Sequence, residues 1–153
     1  MALFGRGKKK PTRILAPIDP NWARSPVGNF FSLLDLDPEQ LKLSGQGGVY
    51  VIWHGGVKSK WVYVDDTDNL ASALANAMDN EDIIQFQVNG GLFVAWAPIA
   101  PNFRKGVVLF LTQTMKPIVE NPNAPKSESD TLFAVPVFGP GSEPNAKENG
   151  EKA

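Results

Sequence analysis

The chain has 153 residues, a net charge of -1, no cysteine and one histidine. Disulfide frameworks, thiolate zinc sites and multi-histidine metal centres are therefore excluded, and no apolar run approaches the roughly 20 residues that a membrane-spanning helix needs. A hydrophobic fraction of 42% suffices for one modest core between two tails. A basic start too short for a secretory apolar region, together with the missing cysteines, places the chain in a bacterial-type cytoplasm.

Charge is unevenly spread. Arg6, Lys8, Lys9, Lys10 and Arg13 meet no acid among the first 13 residues, which leaves the body acidic. Asp65, Asp66, Asp68, Asp79, Glu81 and Asp82 crowd one stretch that holds no lysine or arginine. Nucleic-acid binders usually present the opposite sign to phosphates, so specific nucleic-acid binding by the body is not expected.

Residues 1–27 combine this basic tip with Pro11, Pro17, Pro20 and Pro26 and read as a flexible arm. Lys8, Lys9 and Lys10 follow Leu3 and Phe4. They offer weak contact with an anionic membrane surface, at about 1 kcal/mol per basic charge, or with RNA; the alternative is a solubilising tail. The domain then spans residues 28–121. Residues 28–43 hold Phe30, Phe31, Leu33, Leu34 and Leu36, followed by Asp37-Pro38, which suits a short lead-in helix with an aspartate cap.

After a glycine-rich turn, Val49 to Trp53 has strand composition. His54 follows in a glycine turn as a solvated histidine, and residues 60–64 return as the second strand of an antiparallel hairpin. Residues 66–79 are the clearest helix, with Leu70, Ala73, Leu74, Ala77 and Met78 on one face and Asp66 or Asp68 favouring its dipole. Residues 83–88 and 92–97 flank Asn89-Gly90-Gly91 as a second hairpin. Residues 102–115 supply Phe103, Val107, Val108, Phe110 and Leu111 for another helix, with a strand over 107–111 as the alternative. The tail, residues 122–153, carries an apolar segment at 131–138, fit to add an edge strand or to dock in a partner's groove. Disorder is expected beyond about residue 139.

Alternation along the second strand places Trp61 and Tyr63 on one face and Val62 and Val64 on the other. The helices belong on the aliphatic face. The aromatic face, with Trp53, Trp61, Tyr63 and Trp96, then reads as a recognition surface, and the acidic body favours protein over a stacked base. Asp65, Asp66 and Asp68 suit docking of a basic partner. They do not form an EF-hand loop, which requires a glycine at its sixth position and an acidic residue at its twelfth. No metal and no cofactor is expected.

Gly48-Val49-Tyr50, then Tyr63-Val64-Asp65, then Thr67-x-Asn69-Leu70, with a later Lys116-Pro117, together resemble the core of the GIY-YIG nucleases over about residues 48–121. The resemblance implies an α+β fold with a small, mainly antiparallel central sheet flanked by helices. It also implies that Tyr50 and Tyr63 match the tyrosines that activate water and orient phosphate. The family's catalytic arginine falls on Ala73, the second motif's glycine on Asp65 and its closing asparagine on Glu120. The helix where the family carries its metal-binding glutamate has Arg104 and Lys105 but no carboxylate. The chain therefore reads as a degenerate, noncatalytic protein-binding or scaffold module, and not as an enzyme. The alternative is a metal-dependent endonuclease with a rearranged site of Tyr50, Tyr63, Arg104 and Glu120. A third reading is an accessory subunit tethered to RNA or a membrane by its basic arm.

Overall fold

Val49 to Trp53 is an unbroken apolar run because the strand that carries it is covered on both faces. The computed structural model describes residues 16–144. Four strands form one antiparallel sheet: β1 (Phe31–Ser32), β2 (Gly48–His54), β3 (Lys60–Thr67) and β4 (Leu92–Ala97), in the spatial order β1-β4-β2-β3. Helix α1 (Leu70–Met78) and the short α2 (Glu81–Ile84) lie on one face, and α3 (Pro101–Met115) lies on the other. The α+β class and the antiparallel sheet follow the sequence expectation. No helix among the described residues is long and apolar enough to cross a membrane.

Two apolar cores result. Tyr50, Ile52, Leu92, Val94 and Trp96 meet Leu70, Leu74 and Ile83 on the α1 side. Val49, Val51, Val64, Ala95 and Ala97 meet Val107, Val108 and Leu111 on the α3 side. Each fully buried leucine, isoleucine or valine contributes about 1.5–3 kcal/mol relative to an exposed one, so both faces are stabilising surfaces.

A bulge overturns the expected facing of β3. Ile52 pairs with Tyr63 and Trp53 with Trp61, leaving Val62 unmatched. One extra residue shifts the alternation beyond it. Trp61 therefore packs on the α3 side near Val64, while Val62 and Tyr63 pack on the α1 side. The tryptophans do not share a face either. Trp96 is buried and stacks on Phe31 at 5.2 Å, whereas Trp53 meets Phe30 edge-on at 5.0 Å on the α3 side. No common aromatic platform forms, because helices cover both faces.

Other departures have local causes. The lead-in segment is β1, a 3-10 turn at Leu33–Asp35 and a turn after Asp37, not a helix. There the Leu41 and Gln40 amides donate to the Asp37 carbonyl (3.1 Å) and side chain (3.2 Å), and Lys42 breaks the turn with a φ of 60°. The segment before Asn89 is helical, so only one strand of the expected second hairpin exists. Asn80 starts α2 by accepting the Asp82 amide at 2.9 Å, and Glu81 and Asp82 complement the dipole of its first turn. His54 is buried, stacked on Phe86 at 6.1 Å with Nδ1 2.9 Å from the Gly55 carbonyl, and not solvated. The run 107–111 is helical, within α3.

The expected tails are partly structural. Lys8, Lys9 and Lys10 lie outside the described residues, but residues 16–27 pack against the domain. Trp22 is buried and donates its indole N–H to the Phe138 carbonyl at 2.7 Å. The Ala23 amide reaches the Trp96 carbonyl at 2.8 Å, and Ile18 forms a parallel bridge with Val137. Arg24 lies 3.9 Å over the Phe30 ring and pairs at 3.3 Å with Glu143, which is itself buried although it lies past residue 139. The apolar segment near residue 135 crosses α3 at Gly106, whose carbonyl accepts the Val135 amide at 3.0 Å. A Cβ on Gly106 would strike the Phe133 carbonyl and the Val135 side chain, so the mid-helix glycine makes this crossing possible. It docks on its own domain and not as an edge strand.

Candidate functional site

Thr67, Asn69 and Leu70 are a capping device. The Thr67 hydroxyl accepts the Asn69 amide at 3.0 Å and donates to the Asn69 carbonyl at 3.1 Å. Asn69 Oδ1 accepts the Gly45 amide at 3.1 Å and the Ser72 amide at 3.5 Å. β3 therefore runs through Asp66 and Thr67, and α1 opens at Leu70, four residues later than the sequence expectation of a start at Asp66. The tight turn brings the polar side of α1 against the tyrosines of the hairpin.

Between them is a cavity of about 300 Å³, with Tyr50, Tyr63, Asp65, Ala73, Asn76 and Asn80 among its walls. The tyrosine rings stand 6.2 Å apart and tilted by 40°. No lysine or arginine contributes to the lining. The nearby cations are engaged by carboxylates, one of them Asp66 in the cavity wall. Arg104 Nη1 lies 2.6 Å from Asp68 and its Nε donates to the Ile99 carbonyl at 2.7 Å, while Lys105 pairs with Asp66 at 2.9 Å. Asp65 belongs to no ion pair among the described residues.

The four residues of the endonuclease alternative do not line one cavity. Tyr50 and Tyr63 share the site just described, whereas the Arg104 guanidinium fills the space a Cβ on Gly47 would need. Glu120 borders a separate hollow beside Asn121 and pairs with Lys126 at 3.2 Å through an exposed contact. Asn121 is the side chain turned inward: it is buried and donates to the Val64 carbonyl at 3.1 Å. Among the described residues no three histidine, aspartate or glutamate side chains are grouped to hold a metal ion.

No family model, curated protein or solved structure matches this chain.

Electrostatics mark the same cavity. Burial, reinforced by the charge of Asp65, pushes the Tyr50 hydroxyl far above its ordinary range. Burial also pushes Tyr63 up to about 12, with the charge of Asp65 and a hydrogen bond to it adding to the effect. Both phenols stay neutral at physiological pH. The Asp65 carboxyl is raised chiefly by burial, against hydrogen bonds from Asn121 and the Asp66 amide that lower it.

The raised Asp65 carboxyl sets a sign for stability. Between the ordinary carboxylate value and the raised folded value the native state binds more protons than the unfolded chain. Asp65 thus stabilises the fold at acid pH, and that contribution is lost as pH rises through the folded value. Asp65→Asn is expected to melt at a higher temperature than wild type at pH 7, with the gap closing toward acid pH. Paired thermal melts across pH check this; an unchanged or lower melting temperature for the variant at pH 7 would contradict it.

Sequence reasoning named Tyr50, Tyr63, Asp65 and Ala73 but missed Ser72, Asn76 and Asn80, which also border the cavity. The signal was present. Ser72 and Asn76 lie four positions apart on one face of α1, and Asn80 follows at the cap of α2.

Proposed function

We propose that the chain is a noncatalytic protein-binding module on a degenerate GIY-YIG-like fold, and that the Tyr50–Tyr63 cavity is its binding site. The observation that carries this is the cavity's lining: two tyrosines, carboxylates and amides, with no cation. Phosphoryl transfer needs positive charge aimed at the transferring oxygens. Here Ala73 occupies the position at which the resembled nucleases carry arginine, and Arg104 is committed to Asp68 and Ile99. A phosphate entering the site would meet the Asp65 carboxylate instead.

Affinity purification of the tagged full-length chain from nuclease-treated cells, alongside Ala73→Arg, tests the reading. The variant fills the cavity mouth with a cationic side chain. A protein partner held by wild type and reduced at least about tenfold in the variant is expected. Equal recovery by both would place binding elsewhere. Mg2+-dependent cleavage of DNA or RNA by the wild-type chain, abolished by Tyr50→Phe, would overturn the noncatalytic reading.

A further inference from the structure

We infer that the Tyr50–Tyr63 cavity receives a cationic side chain, lysine ammonium or arginine guanidinium, from a basic segment of the protein partner. The inference rests on the binding reading above and gives that site its ligand chemistry.

Three independent features converge on it. Tyr50 is only 4% exposed, and its hydroxyl has no hydrogen-bond partner among the described residues, yet the residue walls an open cavity. A hydroxyl with no partner in its own chain is free to pair with a group that enters the cavity. Asp65, in the same wall, is a part-buried carboxylate with no ion-pair partner of its own. The Tyr63 ring stands beside it, and cations are attracted to aromatic faces.

The donor and acceptor inventory decides the sign of the ligand. An ammonium brings three donors and a guanidinium five, with no acceptors. The cavity offers the Tyr50 oxygen, the Asp65 carboxylate and the amide oxygen of Asn76, all able to accept. An anion would find Lys105 at the wall already held by Asp66 at 2.9 Å, and no charged donor in the lining itself. The sequence around the lining extends the same preference: Asp79, Glu81 and Asp82 flank Asn80 along the chain, and residues 65–82 include no lysine or arginine, with Lys105 of α3 neutralising Asp66 alone. A neighbouring second positive charge on the incoming segment is thus favoured, which suits a basic peptide. At about 300 Å³ the cavity sits at the small end of ligand sites, fitting one side chain.

The test is an amide NMR titration of the full-length chain with a capped hexapeptide bearing two central lysines. Its glutamine counterpart, spermidine and inorganic phosphate serve as the other ligands. The lysine peptide is expected to shift Asp65, Ser72, Ala73 and Asn76, and to bind at least about tenfold more weakly to Asp65→Asn and to Tyr50→Phe, each of which keeps its side chain's shape. Spectra of the free variants report whether they are folded. Equal binding of the glutamine peptide, undiminished binding by both folded variants, or phosphate binding at these amides would overturn the proposal. Spermidine binding tighter than the peptide would move the ligand from a protein segment to a free polyamine and overturn its source. Should every ligand fail while wild type still captures a partner that Ala73→Arg loses, the cation inference falls and the protein-binding reading stands.

Discussion

Trp22→Ala is expected to lower stability by about 3–5 kcal/mol, the cost of emptying a buried aromatic site. That is a large share of the roughly 5–15 kcal/mol that holds a domain folded. The indole fills the α3-side core and its N–H satisfies the Phe138 carbonyl at 2.7 Å, so the variant leaves both a hole and an unpaired acceptor. Trp22→Phe should recover most of the packing but not the hydrogen bond, placing it between wild type and Trp22→Ala. Denaturant unfolding of the three proteins measures the order. A corollary concerns truncation. Deleting residues 1–27 removes Trp22 and Arg24 and should reproduce the loss relative to a deletion of residues 1–15, which keeps both. Equal midpoints for the two truncations would show that residues 16–27 contribute nothing to stability.

Gly48→Ala is expected to cost about 3 kcal/mol, the upper part of the usual range for overpacking. Gly48 sits buried at the head of β2, and a Cβ there would overlap the carbonyl oxygen of Ala97 and crowd Pro98. Neither neighbour is the end of a flexible side chain. β2 and β4 would have to separate at that end, two residues from Tyr50, so the variant should also lose ligand-induced shifts at the cavity. Gly45→Ala provides the contrast: its Cβ would meet nothing within 4 Å, and its penalty would come from a φ of +78° alone. A Gly48→Ala midpoint within experimental error of wild type would mean that the close approach is not a constraint.

How much of this was legible in the chain depends on where side-chain pattern and backbone geometry agree. The β2–β3 hairpin, the body of α1 and the span of α3 were legible because a β-branched apolar run and two apolar stripes at helical spacing have few other solutions. The facing of Trp61 was not. A bulge at Val62 inserts one residue within a continuous apolar strand, and nothing in Trp-Val-Tyr-Val distinguishes a bulged register from a regular one. Residues 83–88 looked like a strand because Ile83 and Ile84 precede a glycine turn. The Asn80 cap and the acids beside it select a helix, and in the sequence those acids register only as charge. The segment around Trp22 reads as an arm because its prolines exclude regular structure, but a proline-rich segment still packs when it carries a tryptophan to a vacant core position. At the site, the two tyrosines, Asp65 and Ala73 came from the resemblance and the charge pattern. The amide-bearing side of α1 was passed over because polar helix faces usually meet only solvent.

The pairing of the two ends of the domain also orders its assembly in time. Trp22 reaches Phe138 across 116 residues of sequence, and Arg24 reaches Glu143 across 119. While the polypeptide emerges from the ribosome, the hairpin, α1, β4 and α3 can meet as soon as each is made and offer Trp22 its packing partners, but its indole N–H has no acceptor until Phe138 has been synthesised. Closures across such long separations are the slow ones. Until that moment the segment carrying Trp22 lacks the contacts to Phe138 and Glu143 that fasten it, making this the interval in which misassembly or chaperone capture acts on it.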